Sequence, residues 1–237
     1  MGGAEGGRVY RSAQTRRFHR RAERWFVRLR PCTRIVRPDR RGGAAPPGNR
    51  LNDGCVDPSG RLWFGTMDNG EGSNSGAIYC YDGKLRETGI KGVTITNGPA
   101  VSPDGRTLYW VDTLERKISA CAIAADGSLG PSRTFVTIDK GYPDGPIVDS
   151  QGHVWIGLYA GWVARRYAPD GTLVSEVAFP VGNITKVALG GPDLRTGFAT
   201  SARQFLKADE LARQPRAGAL FQFSVDVPGV PCPSVID

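Results

Sequence analysis

Histidine is almost missing from this chain. Its 237 residues hold two, His19 and His153. That is too few for histidine-based zinc binding, and it leaves no serviceable Ser-His-Asp or Cys-His pair. His153 follows a turn glycine at the start of a strand-like segment, so an exposed edge histidine is expected there. Paired cysteines are missing too: Cys32, Cys55, Cys80, Cys121 and Cys232 are scattered singly. Without a C-x-x-C pair, thiolate zinc and dithiol redox sites are excluded. Cys55, Cys80 and Cys121 sit in strand-like segments and are expected as buried free thiols, as in a reducing compartment. No run of 18 apolar residues occurs, and the N-terminus has no apolar signal core. The expectation is a cytoplasmic protein with no membrane partner.

Acidic residues are scarce in one place only. Residues 1–49 hold 13 arginines against 3 acids, leaving 18 basic and 20 acidic residues for 50–237. The overall charge of +8 therefore belongs to the N-terminal segment, and the remainder is slightly acidic. Arginines interleaved with Trp25 and Phe26 have a composition that nucleic-acid binders share. No recognisable motif accompanies them, and a solvated arm is the reading adopted, with no nucleic-acid partner. Gly42 to Gly48, containing Pro46-Pro47, reads as a linker. The division expected is 1–49, arginine-rich and poorly ordered or loosely paired, and 50–237, one folded all-β domain.

What is present in 50–237 is a repeat. Asp57-Pro58-Ser59-Gly60-Arg61-Leu62-Trp63-Phe64-Gly65 is a tight turn followed by an aromatic strand. Ser102-Pro103-Asp104-Gly105-Arg106-Thr107-Leu108-Tyr109-Trp110 repeats it, and so does Asp149-Ser150-Gln151-Gly152-His153-Val154-Trp155-Ile156-Gly157. A degenerate fourth copy runs from Leu189 to Thr200. Gly60, Gly105 and Gly152 are spaced by 45 and 47 residues. A period of roughly 40–50 residues made of four short strands is the signature of a β-propeller blade. About four clear four-stranded blades are expected.

Each repeat is preceded by an aligned polar step: Asn52-Asp53-Gly54, Asn97-Gly98-Pro99 and Asp144-Gly145-Pro146. Asn-Gly and Asp-Gly are turn dipeptides in their own right. Three in register, each opening a blade, converge on one mouth of a propeller channel. Two amides and a carboxylate are hard oxygen donors suited to a divalent cation. Asp144 is the only acid among the three.

The segments RLNDGCVDPSGRLWFGTMD, ITNGPAVSPDGRTLYWVDT and GYPDGPIVDSQGHVWIGLYAGWVARRYAPDG resemble the regucalcin/gluconolactonase family of six-bladed propellers, over about Gly48 to the C-terminus. The resemblance implies hydrolysis of a sugar lactone at one divalent metal (calcium, zinc, magnesium or manganese), within carbohydrate metabolism. It places Asn97 and Asp144 on metal-ligand positions and Arg50 and Asn52 on substrate-binding positions. A further substrate contact falls among Asp68, Asn69 and Glu71, with Glu71 adopted. Asp144 is expected to act as ligand and general base, and Asp53 to hold Arg50 in place. Family members are similar in carrying about two more blades before the Arg50 motif, including a Gly-Glu-Gly-Pro segment whose glutamate binds the metal. Glu5 and Glu23 lack that context. Residues 1–49 are therefore expected to be a shortened or wrong-frame version of that region, leaving an incomplete propeller with weakened metal binding. A non-catalytic calcium-binding or scaffold propeller is the alternative. Oligomeric state is not legible.

Overall fold

The structure, a computed structural model, describes residues 48–236. The expectations for 1–49 fall, but for Gly48 and Asn49, outside these residues. The described chain is all-β apart from one short helix.

The first sheet has four antiparallel strands in sequence order: β1 (Asn49–Val56), β2 (Leu62–Asp68), β3 (Gly76–Tyr81) and β4 (Leu85–Val93). The second repeats the meander with β5 (Thr96–Val101), β6 (Thr107–Asp112), β7 (Lys117–Ala122) and β8 (Arg133–Thr137). The third does so with β9 (Tyr142–Val148), β10 (Val154–Tyr159), β11 (Val163–Tyr167) and β12 (Leu173–Ala178). Its inner strand β9 also meets β13 (Ile184–Gly190) through one parallel bridge, Lys186 to Gly145. That bridge adds β13, β14 (Thr196–Ser201) and β15 (Leu220–Ser224) to give a seven-stranded sheet. Among the described residues the fourth unit thus has three strands rather than the four expected. Before β15 it carries α1 (Ala208–Arg213), which no strand or turn signal in the sequence announced.

The turn from first to second strand explains why the repeat survives in sequence. Asp57 is fully buried. Its Oδ1 accepts the Ser59 and Arg61 backbone N–H groups at 2.8 and 3.0 Å. Its Oδ2 accepts Arg61 Nε at 2.6 Å and Trp63 Nε1 at 2.8 Å. Asp149, equally buried, does the same work for Gln151, His153, Trp155 and Arg166. A buried carboxylate is tolerated where its lone pairs are filled and a cation faces it. Gly60, Gly105 and Gly152 take the left-handed place in these turns, at φ +81°, +71° and +81°. The fourth copy puts Leu194 there at φ +58°. It also puts Gly197 where Trp63 and Trp155 stand, because the Phe223 ring fills that space: a Cβ on Gly197 would come within 2.4 Å of it. His153 is a correction to the sequence expectation. It is only 18% exposed in its side chain, with Nδ1 3.7 Å from Asp149 Oδ1.

Three apolar clusters lie between successive sheets. Trp63, Ile78, Leu108 and Trp110 join the first and second units, and Val111, Ile118, Ile156 and Leu158 the second and third. Trp155, Phe179, Phe221 and Phe223 join the third and fourth. Full burial of each such side chain contributes about 1.5–3 kcal/mol, so the units hold one another by face-to-face packing. Cys80 and Cys121 are buried free thiols, whereas Cys55 is only partly buried. After β15 the tail ties three turns together. Pro228 O accepts from Ser150 N, Gly229 N donates to Leu194 O, and Ile236 N donates to Gly60 O. No helix among the described residues is long and apolar enough to cross a membrane.

Candidate functional site

The four inner strands β1, β5, β9 and β13 each break register at the same height. The irregularities fall between Leu51 and Gly54, between Asn97 and Ala100, between Pro143 and Pro146, and between Ile184 and Lys186. A bulge leaves a residue out of the ladder and re-aims its side chain, which is why bulges gather beside binding sites. Here they turn Asn52, Asn97, Asp144 and Thr185 toward one cavity of about 310 Å³. Arg50 and Glu71 line the same cavity. All five residues singled out in the sequence for this site are therefore brought together.

Hydrogen bonds fix the amide orientations. Asn97 Nδ2 donates to Thr113 Oγ1 at 2.8 Å, and Thr113 Oγ1 donates onward to Pro143 O at 2.9 Å. With its proton committed, the hydroxyl can only accept from the amide, so Asn97 Oδ1 is the end left for the cavity. Asn52 Nδ2 reaches that oxygen at 2.9 Å and Thr96 O at 2.6 Å, while Arg50 Nη1 donates to Asn52 Oδ1 at 2.6 Å. Arg50 is therefore held by Asn52 and by the Leu51 carbonyl, not by Asp53 as the sequence suggested. Asp53 instead receives Lys186 Nζ at 2.5 Å and the Gly98 N–H at 3.1 Å on the same oxygen.

Asp144 stands apart electrostatically. Burial first, and the Asp53 carboxylate second, push its pKa up to about 7, against the opposing pull of Lys186 and the Gly145 N–H. Tyr159, on the cavity wall, is also raised, by burial and then by the negative charges of Asp144 and Glu71. Glu71 reaches the cavity from the loop after β2. The Asp68 carboxylate gathers the Gly70, Gly72 and Ser73 N–H groups at 3.0–3.2 Å, and Glu71 adopts φ +57° within that loop. Those bonds hold Asp68 below its ordinary pKa and occupy it, leaving Glu71 as the acid that faces inward. Asp112, at the end of β6, accepts the Glu115 N–H as a strand-end turn residue.

Among the described residues no three His, Cys, Asp or Glu side chains cluster as a cation cage. The donors that face the cavity, Asn97 Oδ1 and the Asp144 carboxylate, are hard oxygens of the type a divalent cation takes. A carboxylate raised to about 7 is short of positive charge, and a bound cation would supply it. The residues present fit such an ion. Sequence reasoning missed Thr113, Lys186, Tyr159 and Phe205. None belongs to a turn motif, and only the folded chain brings them to the bulges.

The sequence profile of the SMP-30/Gluconolactonase/LRE-like region matches residues 7–203, reaching further toward the N-terminus than the motif resemblance from Gly48. The 6-deoxy-6-sulfogluconolactonase of Pseudomonas putida is 38% identical over 185 residues, covering 76% of this chain and 64% of that protein. Regucalcin of Xenopus laevis is 33% identical, covering 75% and 63%. The crystal structure of a calcium-binding protein, regucalcin, from Agrobacterium tumefaciens superposes with a TM-score of 0.75 at 34% identity, covering 79% of this chain and 65% of that one. The chain thus spans just under two thirds of the length of these relatives. By profile, by identity and by fold, the chain belongs to the SMP-30/gluconolactonase/LRE-like family.

Proposed function

We propose that the chain hydrolyses a sugar lactone at one divalent cation, on a propeller of the six-bladed type. The ring size is supported by proportion: four repeat units occur in a chain spanning 63–65% of its relatives' length, and four blades are about two thirds of six. The observation that carries the chemistry is that Asp144, raised to about 7, lines the same cavity as Asn97. A lactone needs little activation. Asp144 and Asn97 would hold the cation, which supplies Lewis-acid polarisation of the lactone carbonyl. The Asp144 carboxylate, kept ionised by that cation, takes a proton from the attacking water. Arg50 and Glu71 bind ring hydroxyls as donor and acceptor, and Asn52 keeps Arg50 aimed.

The test is hydrolysis of a panel of aldonolactones with calcium, zinc, magnesium or manganese, beside a chelated control. Turnover that needs a cation and is lost in Asp144→Asn is the expected result. Turnover unaffected by chelation would remove the cation from the reading. The Agrobacterium tumefaciens relative, a calcium-binding protein, supports a second reading in which this chain's part is to bind calcium. It predicts a calorimetric calcium signal and no hydrolysis of any lactone in the panel.

A further inference from the structure

The cavity is two-sided. Beside Asp144, its charged groups are Arg50 and Glu71 of the first unit, whereas the wall from the later units carries Leu114, Tyr142, Tyr159 and Phe205. Phe205 is the outlier. At 74% exposed it is the most exposed large apolar side chain among the described residues, yet it lines the cavity mouth. Its backbone lies at φ +63°. For a bulky residue that conformation is costly, and it persists only where the surroundings over-determine it. The surroundings do so here. Tyr159 Oη and Asn183 Nδ2 both donate to the Gln204 carbonyl, and the Leu206 N–H closes a turn onto Arg203 O. The peptide just before Phe205 is pinned from two neighbouring elements. Packing does not account for this cost, because the ring it displays is mostly in solvent.

We infer that Phe205 is a specificity-determining residue, an aromatic platform that takes the C–H face of a cyclic polyol lactone while Arg50 and Glu71 take its hydroxyl edge. The inference rests on the lactone reading above and names the face of the substrate that the site selects. A sugar ring in its lactone form has one face of C–H bonds and a rim of oxygens. A rigid aromatic side chain offers that face a large contact area at low entropic cost. The pinned Gln204 carbonyl preorganises the ring before substrate arrives. Open-chain sugar acids, the hydrolysis products, have no such face and leave.

The test uses the whole chain with two probes: an aldonolactone that the wild type hydrolyses, and 1,5-anhydroglucitol, a pyranose with no carbonyl to attack. In Phe205→Gly the KM for the lactone rises about 3–10-fold with kcat within twofold, and binding of 1,5-anhydroglucitol weakens by the same factor in calorimetry. The Tm holds or rises by about 2–4 °C, since glycine relieves the left-handed strain. A residue kept for structure alone would lower the Tm and leave KM in place. Phe205→Tyr restores the wild-type KM. If turnover persists in Phe205→Gly with an unchanged KM, the platform is overturned while hydrolysis stands. If no lactone is turned over but the polyol binds in a Phe205-dependent way, the platform stands and the hydrolytic reading falls. A wild type that binds neither probe overturns the platform as well. Should Phe205→Gly fail to fold, Phe205→Asn, which also tolerates φ > 0, is read by the same criteria.

Discussion

Asp144, at the bulge within β9, and Asp149, in the turn just after it, are five residues apart and are opposites. Asp149 is fully buried and has both oxygens filled: two backbone N–H groups, an indole and the Arg166 guanidinium surround it. Asp144, at the bulge, faces a cavity and another carboxylate, and its pKa climbs to about 7. Burial alone does not distinguish a scaffold acid from a reactive one. What distinguishes them is whether the fold has already supplied the positive charge and the donors. Asp149 is satisfied by its own turn; Asp144 is left for something that binds.

The comparison breaks most visibly at Asp149. In Asp149→Ala the Arg166 guanidinium loses a buried partner and the His153 turn loses its acceptor. Removing one member of a buried charged pair costs about 3–5 kcal/mol, so urea denaturation should show a loss of that order. The corresponding loss in Asp57→Ala involves Arg61 and Trp63. Folded molecules of either variant should retain their cation affinity. A stability change within about 1 kcal/mol of wild type, the worth of an ordinary hydrogen bond, would mean the turn acids are not scaffold.

Asp144→Asn is expected to do the reverse. On the proposed mechanism the general base is lost, and hydrolysis falls by about 100–10,000-fold, the usual contribution of a positioned base. The fold is untouched, because no packing or buried ion pair depends on the charge. Steady-state kinetics beside thermal melts would separate the two effects. A variant that both unfolds and loses activity would place Asp144 with Asp149.

The fold was legible where the chain satisfies itself locally. Asp-Pro-Ser-Gly-Arg-Leu-Trp spells out its own turn, its acceptor and its donors within seven residues, so the repeat could be read from the sequence alone. Asn52, Asn97 and Asp144 were legible because they precede that turn at a fixed distance. Thr113, Lys186 and Phe205 were not, since each acts through a partner 16 to 133 residues away or through a backbone angle. The fourth unit was misjudged for a related reason. Its Trp position is a glycine, and the ring that replaces it, Phe223, comes from β15.

A pH series on cation-free protein sharpens the contrast further. The Asp144 carboxyl titrates near 3.8 when unfolded and near 7 when folded, so between those values the folded state holds the extra proton. Stability from that group is therefore full below about pH 4 and is lost as pH rises toward 7. Each step of one pH unit across that window removes at most about 1.4 kcal/mol. Across the whole window the change is at most a few kcal/mol. Asp144→Asn should match wild type at pH 4 and exceed it at pH 8 by that amount, and added cation should close the gap by restoring wild type. A gap that widens toward low pH would have the wrong sign for a raised carboxyl.

Thr113 lies between the two kinds of residue, and its substitution has the smallest expected effect. It is buried at the cavity wall, and its hydroxyl decides which end of the Asn97 amide faces inward. Thr113→Val keeps the shape and removes the hydroxyl. Asn97 Nδ2 and Pro143 O then lose a partner, which costs about 1 kcal/mol of stability. The amide is also free to turn, and it presents its NH₂ to the cavity part of the time. A cation meets a donor where it needs an acceptor, so affinity should fall about 3–10-fold, the equivalent of about 1 kcal/mol. Thr113→Ser, which keeps the hydroxyl, should recover the affinity while losing only a methyl group's packing. If calorimetry finds cation affinity unchanged in Thr113→Val while stability drops, Thr113 belongs wholly to the scaffold. The amide would then be held by Asn52, whose Nδ2 already reaches Asn97 Oδ1 at 2.9 Å.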